Sequence, residues 1–180
     1  MTDPQVLSQD LLNRLTASGE LIPVWSDAFA TVTRHRFIPD TIWVTDSAGL
    51  MPLHRTEDPQ EWLRRAYGPA AVITQVNDGH PAGPEERGRY STSSASQPDV
   101  VALMLATLDA EPGMRVLETD TGTGYNAALL AHRLGTHNVT SIEIDPDLAD
   151  HARRAPHCHR LPGHRDHRRR GRGPPTRRAL

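Results

Sequence analysis

Residues 114–145, MRVLETDTGTGYNAALLAHRLGTHNVTSIEID, constrain this chain more than any other stretch. A β-branched, buried-looking strand (MRVLET) runs into TGTG, and the helix YNAALLAHRL follows, stopped by Gly135. NVTSIEID is the next strand, and PDLADHARRA opens another helix with Pro146 at its first position. Strand, glycine loop, helix, strand, helix is a βαβ unit. It implies parallel strands joined by a right-handed crossover.

Small residues at alternate loop positions let a ligand approach the backbone where a parallel strand ends. The following helix N-terminus presents free N–H groups. The loop is neither G-x-G-x-x-G nor a P-loop, because no Gly-Lys-Ser/Thr follows. It reads Glu-x-Asp-x-Gly-x-Gly through Glu118, Asp120, Gly122 and Gly124. Glu143 closes the second strand, 25 residues after Glu118, where an acid suits hydrogen bonds from two ribose hydroxyls. The bland alternatives are turn glycines at 122 and 124 and an ordinary strand-end acid at 143.

Upstream, Leu7, Leu11 and Leu15 lie at helical spacing over residues 4–18, before Gly19. Residues 23–33 predict a short helix with Trp25, Phe29 and Val32 on one side. TIWVT (41–45) predicts a strand that pairs with 50–54 across DSAG. DPQEWLRRAY predicts a helix entered from Asp58, and AVITQV (71–76) a strand. NDGHPAGPEERG is an expected exposed loop, and YSTSSASQ (90–97) a Ser/Thr-rich approach to Pro98. PDVVALMLATLDA is a helix expected to turn Val101, Met104, Leu105 and Leu108 inward.

The combination SASQPDVVALML, EPGMRVLE, TGTGYNAALLA and SIEID resembles the protein L-isoaspartate O-methyltransferase family, with AFATVTRHRFIP matching its N-terminal region. The resemblance covers roughly residues 24–40 and 90–155. It implies an α/β fold: the N-terminal portion of a Rossmann-like S-adenosylmethionine methyltransferase, with an incomplete sheet. It also implies methyl transfer from S-adenosyl-L-methionine to a carboxylate of a protein or peptide substrate. That carboxylate is an isoaspartyl residue of a damaged protein or an acidic side chain of a particular peptide. Glu118, Asp120, Thr121, Gly122, Gly124, Tyr125 and Glu143 would lie at the cofactor. Ser96, of the Ser-Gln-Pro motif, would be the catalytic-loop residue beside the transferred methyl, its alternative being a cap for the next helix. Arg34 and His35 can be read as a substrate-carboxylate site or as a surface turn packed by Phe37 and Ile38. The family has Gly where this chain has Asp120, so an intruding side chain and weaker cofactor binding are expected there.

Charge divides the chain unevenly. Residues 1–150 hold 10 Arg against 21 Asp and Glu, a balance of −11, and residues 151–180 hold 10 Arg and one acid, a balance of +9. Three segments are expected: an N-terminal helical and hairpin region (1–89), a partial cofactor-binding domain (90–155) and a disordered Arg-rich tail (156–180). One GC-rich back-translation of residues 157–175, read from the second codon base, gives VIT followed by Gly-Asp-Gly, which resembles the family's next strand and loop. A single-base frameshift near residue 156 is therefore expected, with a truncated, weakly active or non-catalytic chain as its consequence. The tail could instead bind nucleic acid, the least favoured reading. His157, Cys158 and His159 are adjacent and converge poorly on one ion, so no metal is expected. One Cys excludes an intramolecular disulfide, and no apolar run of ~18 residues exists for a membrane span. The polar N-terminus is no signal peptide, which leaves a cytoplasmic protein as the expectation.

Overall fold

The computed structural model describes residues 3–47, 49–80 and 87–155. The expected tail, with its His-Cys-His cluster, lies outside the described residues.

Three helices begin at Asp-Pro pairs, and each start has the same cause. The Asp side chain accepts a backbone N–H of the first turn, and proline fills a position whose N–H has no helical partner. Asp3 accepts from Gln5 ahead of α1 (Pro4–Ser18), which Gly19 ends in the left-handed conformation. Between them come α2 (Ser26–Thr31), the hairpin strands β1 (Thr41–Asp46) and β2 (Gly49–His54), and α3 (Pro59–Tyr67). Asp58 caps α3 by accepting from the Glu61 N–H at 2.9 Å. Strands β3 (Val72–Val76) and β4 (Ser91–Ala95) lead to α4 (Pro98–Leu108). Then come β5 (Val116–Thr119), α5 (Tyr125–Leu134), β6 (Val139–Ile142) and α6 (Pro146–Arg154), the last capped by Asp145.

Two sheets form. One is antiparallel in the order β2-β1-β3-β4, and the other pairs β5 with β6 in parallel. The β5–β6 register sets Glu118 opposite Ser141 and Thr119 opposite Ile142. Beneath them one core runs from Leu11 and Leu15 through Trp25, Phe29, Phe37 and Trp62 to Val101, Leu105, Leu129 and Val139. The expected division at residue 89/90 falls inside the first sheet, because β3 precedes it and β4 follows it.

Three local expectations change. Residues 91–95 are a strand rather than an irregular approach, paired with β3 from Val72↔Ala95 to Val76↔Ser91. Only Ala95 of that strand is buried, so no apolar alternation marks it in the sequence. The loop after β3 comes back to the first sheet at Gly88, which exchanges backbone hydrogen bonds with Leu50. On α4, Val101 and Leu105 face inward as expected, but Met104 and Leu108 are about half exposed.

Candidate active site

The glycine loop is held open by backbone geometry that L-residues rarely adopt. Asp120, Gly122 and Gly124 have φ of 62°, 54° and 83°. Asp is among the residues that tolerate the left-handed region, which is how it occupies this turn without breaking it. Gly124 is the N-cap of α5, so the helix N-terminus directly follows the loop.

Two carboxylates lie at the carboxyl ends of β5 and β6, next to this loop. Glu118 accepts from Asn126 Nδ2 at 2.7 Å and from the Ser141 hydroxyl. Burial pushes its carboxyl above the usual range, the bonds from Ser141 and Asn126 pull it partway back, and the Glu143 charge adds to the rise. Glu143 Oε2 accepts from the Gly122 N–H at 2.9 Å, and Oε1 from the Asp145 N–H at 3.0 Å. Thr121 shares a 2.5 Å hydroxyl contact with Ser141, and its N–H donates to Ile142 O.

Over the loop lies a cleft of about 160 Å³. Its walls include Ser94, Ser96, Glu118, Asp120, Tyr125 and Asn126. Thr121 and Gly122 also border it, so it joins the serine segment to the glycine loop across the chain. Glu143 stays beneath the loop and is not among the lining residues. Small-molecule pockets usually span ~300–1,000 Å³, so this cleft takes one end of a ligand rather than all of it. A larger cavity of about 600 Å³ lies on the first sheet beside Trp43, His54 and Gln75.

Ser96 is exposed and gives α4 no side-chain cap; Gln97 holds the N-cap position without capping. Tyr125 is buried, its ring packed edge-on against Phe37 at 5.5 Å and Phe29 at 6.3 Å.

Arg34 changes most from the sequence reading. It is not on a surface turn but 1% exposed. Nε donates to Ala66 O at 2.8 Å, and Nη2 to Ser96 O at 2.7 Å and Ala95 O at 3.3 Å. Its Cζ lies 5.2 Å from the Tyr125 ring centroid. His35 instead contacts the Tyr67 hydroxyl at 2.6 Å, and burial lowers its pKa, with Arg55 and Arg36 adding to that. The RHRFIP segment marks Arg34 in the sequence, but its depth depends on carbonyls far along the chain.

A parallel strand pair with a glycine loop at its carboxyl end and an acid behind each strand is the Rossmann-like arrangement. Comparison with known proteins narrows the class. The family model for protein-L-isoaspartate(D-aspartate) O-methyltransferase (PCMT) matches residues 67–161, and the chain belongs to that family. It is 38% identical over 110 residues to protein-L-isoaspartate O-methyltransferase 2 of Anaeromyxobacter sp. (strain Fw109-5), covering 61% of this chain and 37% of that protein. A solved protein-L-isoaspartate O-methyltransferase superposes with a TM-score of 0.54 at 25% identity, over 82% of this chain and 37% of the other. The Plasmodium falciparum protein crystallised with S-adenosyl-L-homocysteine shares the fold at 18% identity and a TM-score of 0.54, over 80% of this chain and 52% of its own. The chain spans 26% to 37% of the length of the first curated relatives it matches. Among the described residues no helix is long and apolar enough to cross a membrane, and no group of three metal-ligating side chains forms.

Proposed function

We propose that this chain carries the cofactor end of a protein-carboxyl methyltransferase that acts on isoaspartyl residues of damaged proteins. The observation that carries the reading is the cleft itself, where the serine of Ser-Gln-Pro and the glycine loop border one space. The polar atoms there fit the zwitterionic end of S-adenosyl-L-methionine. Asn126 Oδ1 is a buried acceptor and Arg34 Nη1 a buried donor, both without a hydrogen-bond partner. An ammonium group suits the first and a carboxylate the second.

When bound, S-adenosyl-L-methionine supplies a methyl group on a sulfonium centre. Glu118, Asp120, Thr121, Gly122, Gly124 and Tyr125 would border the cofactor, and Glu143 would hold the loop or its ribose. Ser96 would orient the accepting carboxylate. That carboxylate is ionised at neutral pH, with a reference pKa of about 4, and needs no general base. Catalysis then rests on holding two reactants in line, and no acid or base residue is assigned.

A labelled-methyl transfer assay with an isoaspartyl peptide tests this. Transfer that requires the isoaspartyl linkage supports it, and transfer to ordinary acidic side chains instead would favour peptide tailoring. A second reading is a weakly active or non-catalytic unit. It is favoured by the apolar surface at Leu117 (65% exposed) and Ile144 (90%) on and beside the β5–β6 pair. Cofactor binding without transfer would be its result. The proposed partner is a protein or peptide in the cytoplasm, with neither membrane nor nucleic acid required.

A further inference from the structure

The buried cation at Arg34 offers this scheme more than an unpaired donor. Among the described residues it forms no ion pair, although it is 1% exposed. Carbonyl oxygens and the Tyr125 ring are its partners. These compensate a charge only partly, because a buried ion is stabilised in full only by pairing and complete hydrogen bonding. One amino group, Nη1, is buried with no partner at all.

The position of this charge is informative. Arg34 borders the same cleft as Ser96, Asn126 and the glycine loop. Nη2 grips the carbonyls of Ala95 and Ser96, so the guanidinium also fixes the backbone that presents the Ser96 side chain. Glu118 and Asp120 line the same cleft. An anion entering it meets two carboxylates and needs a cation to offset them. Arg34 is that cation.

We propose that Arg34 is a positioning and selectivity residue that makes this cleft prefer a ligand carboxylate, acting through its unbalanced charge and its hold on the Ser96 turn. The proposal rests on the methyltransferase reading. The carboxylate is that of the cofactor's amino-acid end or that of the isoaspartyl substrate. The two sources share one chemistry, and ligand pairs separate them.

Calorimetry on the whole 180-residue chain tests it. One pair is S-adenosyl-L-homocysteine and its carboxamide. The other is an isoaspartyl peptide and the same peptide with that carboxylate as a carboxamide. The unsubstituted chain should prefer the carboxylate about tenfold in at least one pair, the scale of one charge-assisted hydrogen bond. The pair that shows it names the source. Arg34→Met should abolish the preference, and Arg34→Lys, which keeps the charge, should retain most of it. A purely structural role would weaken carboxylate and carboxamide alike and leave their ratio unchanged, and that result overturns the proposal. Equal affinity within both pairs in the unsubstituted chain overturns it even if neither variant folds. If S-adenosyl-L-homocysteine binds and neither pair shows a carboxylate preference, only the role of Arg34 falls. If no ligand binds, the methyltransferase reading falls with it.

Discussion

The carboxylate of Glu143 holds the backbone of Gly122. Oε2 accepts the Gly122 N–H at 2.9 Å, while Oε1 accepts the Asp145 N–H at 3.0 Å. The strand-end acid of β6 thereby fixes two things at once: the left-handed turn of the glycine loop and the start of α6. Each oxygen keeps a second acceptor site, so bracing the loop does not exhaust the carboxylate.

Glu143→Gln separates these duties. An amide nitrogen cannot accept, so one of the two N–H groups loses its partner. The loss of a hydrogen bond to a charged acceptor in a buried site costs about 1.5–3 kcal/mol. Urea unfolding should show a midpoint lowered by that free energy divided by the slope, with the slope itself unchanged. Cofactor binding should weaken as well, because the Gly122 turn is no longer held. An unchanged midpoint would mean that water replaces the lost bond.

Asp120 occupies a left-handed turn at φ 62° and borders the cleft. Asp120→Gly removes the Cβ strain of that conformation, about 1–2 kcal/mol. It also adds chain entropy to the unfolded state, about 0.5–1 kcal/mol in the opposite sense. The melting midpoint should therefore move little. Binding of S-adenosyl-L-homocysteine should tighten severalfold in calorimetry, because a carboxylate leaves the cleft wall. Equal affinity for the two proteins would show that the Asp120 side chain stays clear of the ligand.

How far the sequence revealed this structure depended on the range of the interactions. The helix starts at Asp58-Pro59 and Pro146 were legible because capping and the first-turn preference of proline act over two or three residues. The βαβ unit was legible because a glycine loop between a strand and a helix has few other uses. β4 was hidden because its hydroxyl-rich residues carry no period and its partner is β3, across a long loop. On α4 the run Val100 to Leu105 is apolar on every side, so periodicity could not exclude Met104 from the core. The burial of Arg34 depends on carbonyls 32 and 62 residues away, which no local pattern encodes. The roles expected of Ser96 and the loop residues came from resemblance, not from spacing alone.

Glu118 predicts how stability varies with pH. Burial raises its folded pKa above the unfolded value, about 4.3 for a free Glu. Between the two values the unfolded chain has released its proton while the folded chain still holds it. Stability from this group is therefore present at low pH and is lost as pH rises through the folded pKa. Glu118→Gln removes that loss. Its amide oxygen can accept from Asn126, and its amide nitrogen can donate to Ser141, whose proton then turns toward Thr121. Melting midpoints measured from pH 4 upward should show a shallower decline for Glu118→Gln than for the unsubstituted protein. Parallel curves would place the titration elsewhere.

Gly88 closes the first sheet by lying against Val76, and this contact leaves no room for a side chain. A Cβ at position 88 would come within 2.7 Å of both Cβ and Cγ1 of Val76, which is itself 1% exposed. Overpacking of this kind costs about 1–3 kcal/mol, because the backbone at both positions is tied into the sheet. Gly88→Ala should lower the urea midpoint accordingly. Val76→Ala alone should also destabilise, by emptying part of the core. The double variant should lose somewhat less than the sum of the two, since Val76→Ala removes Cγ1 and Cγ2, two of the three atoms a Cβ at position 88 would meet, and leaves the Cβ–Cβ contact in place. That non-additivity is the specific sign of the Gly88–Val76 contact. Strict additivity in the cycle would show that the segment carrying Gly88 moves away from the sheet rather than pressing on Val76.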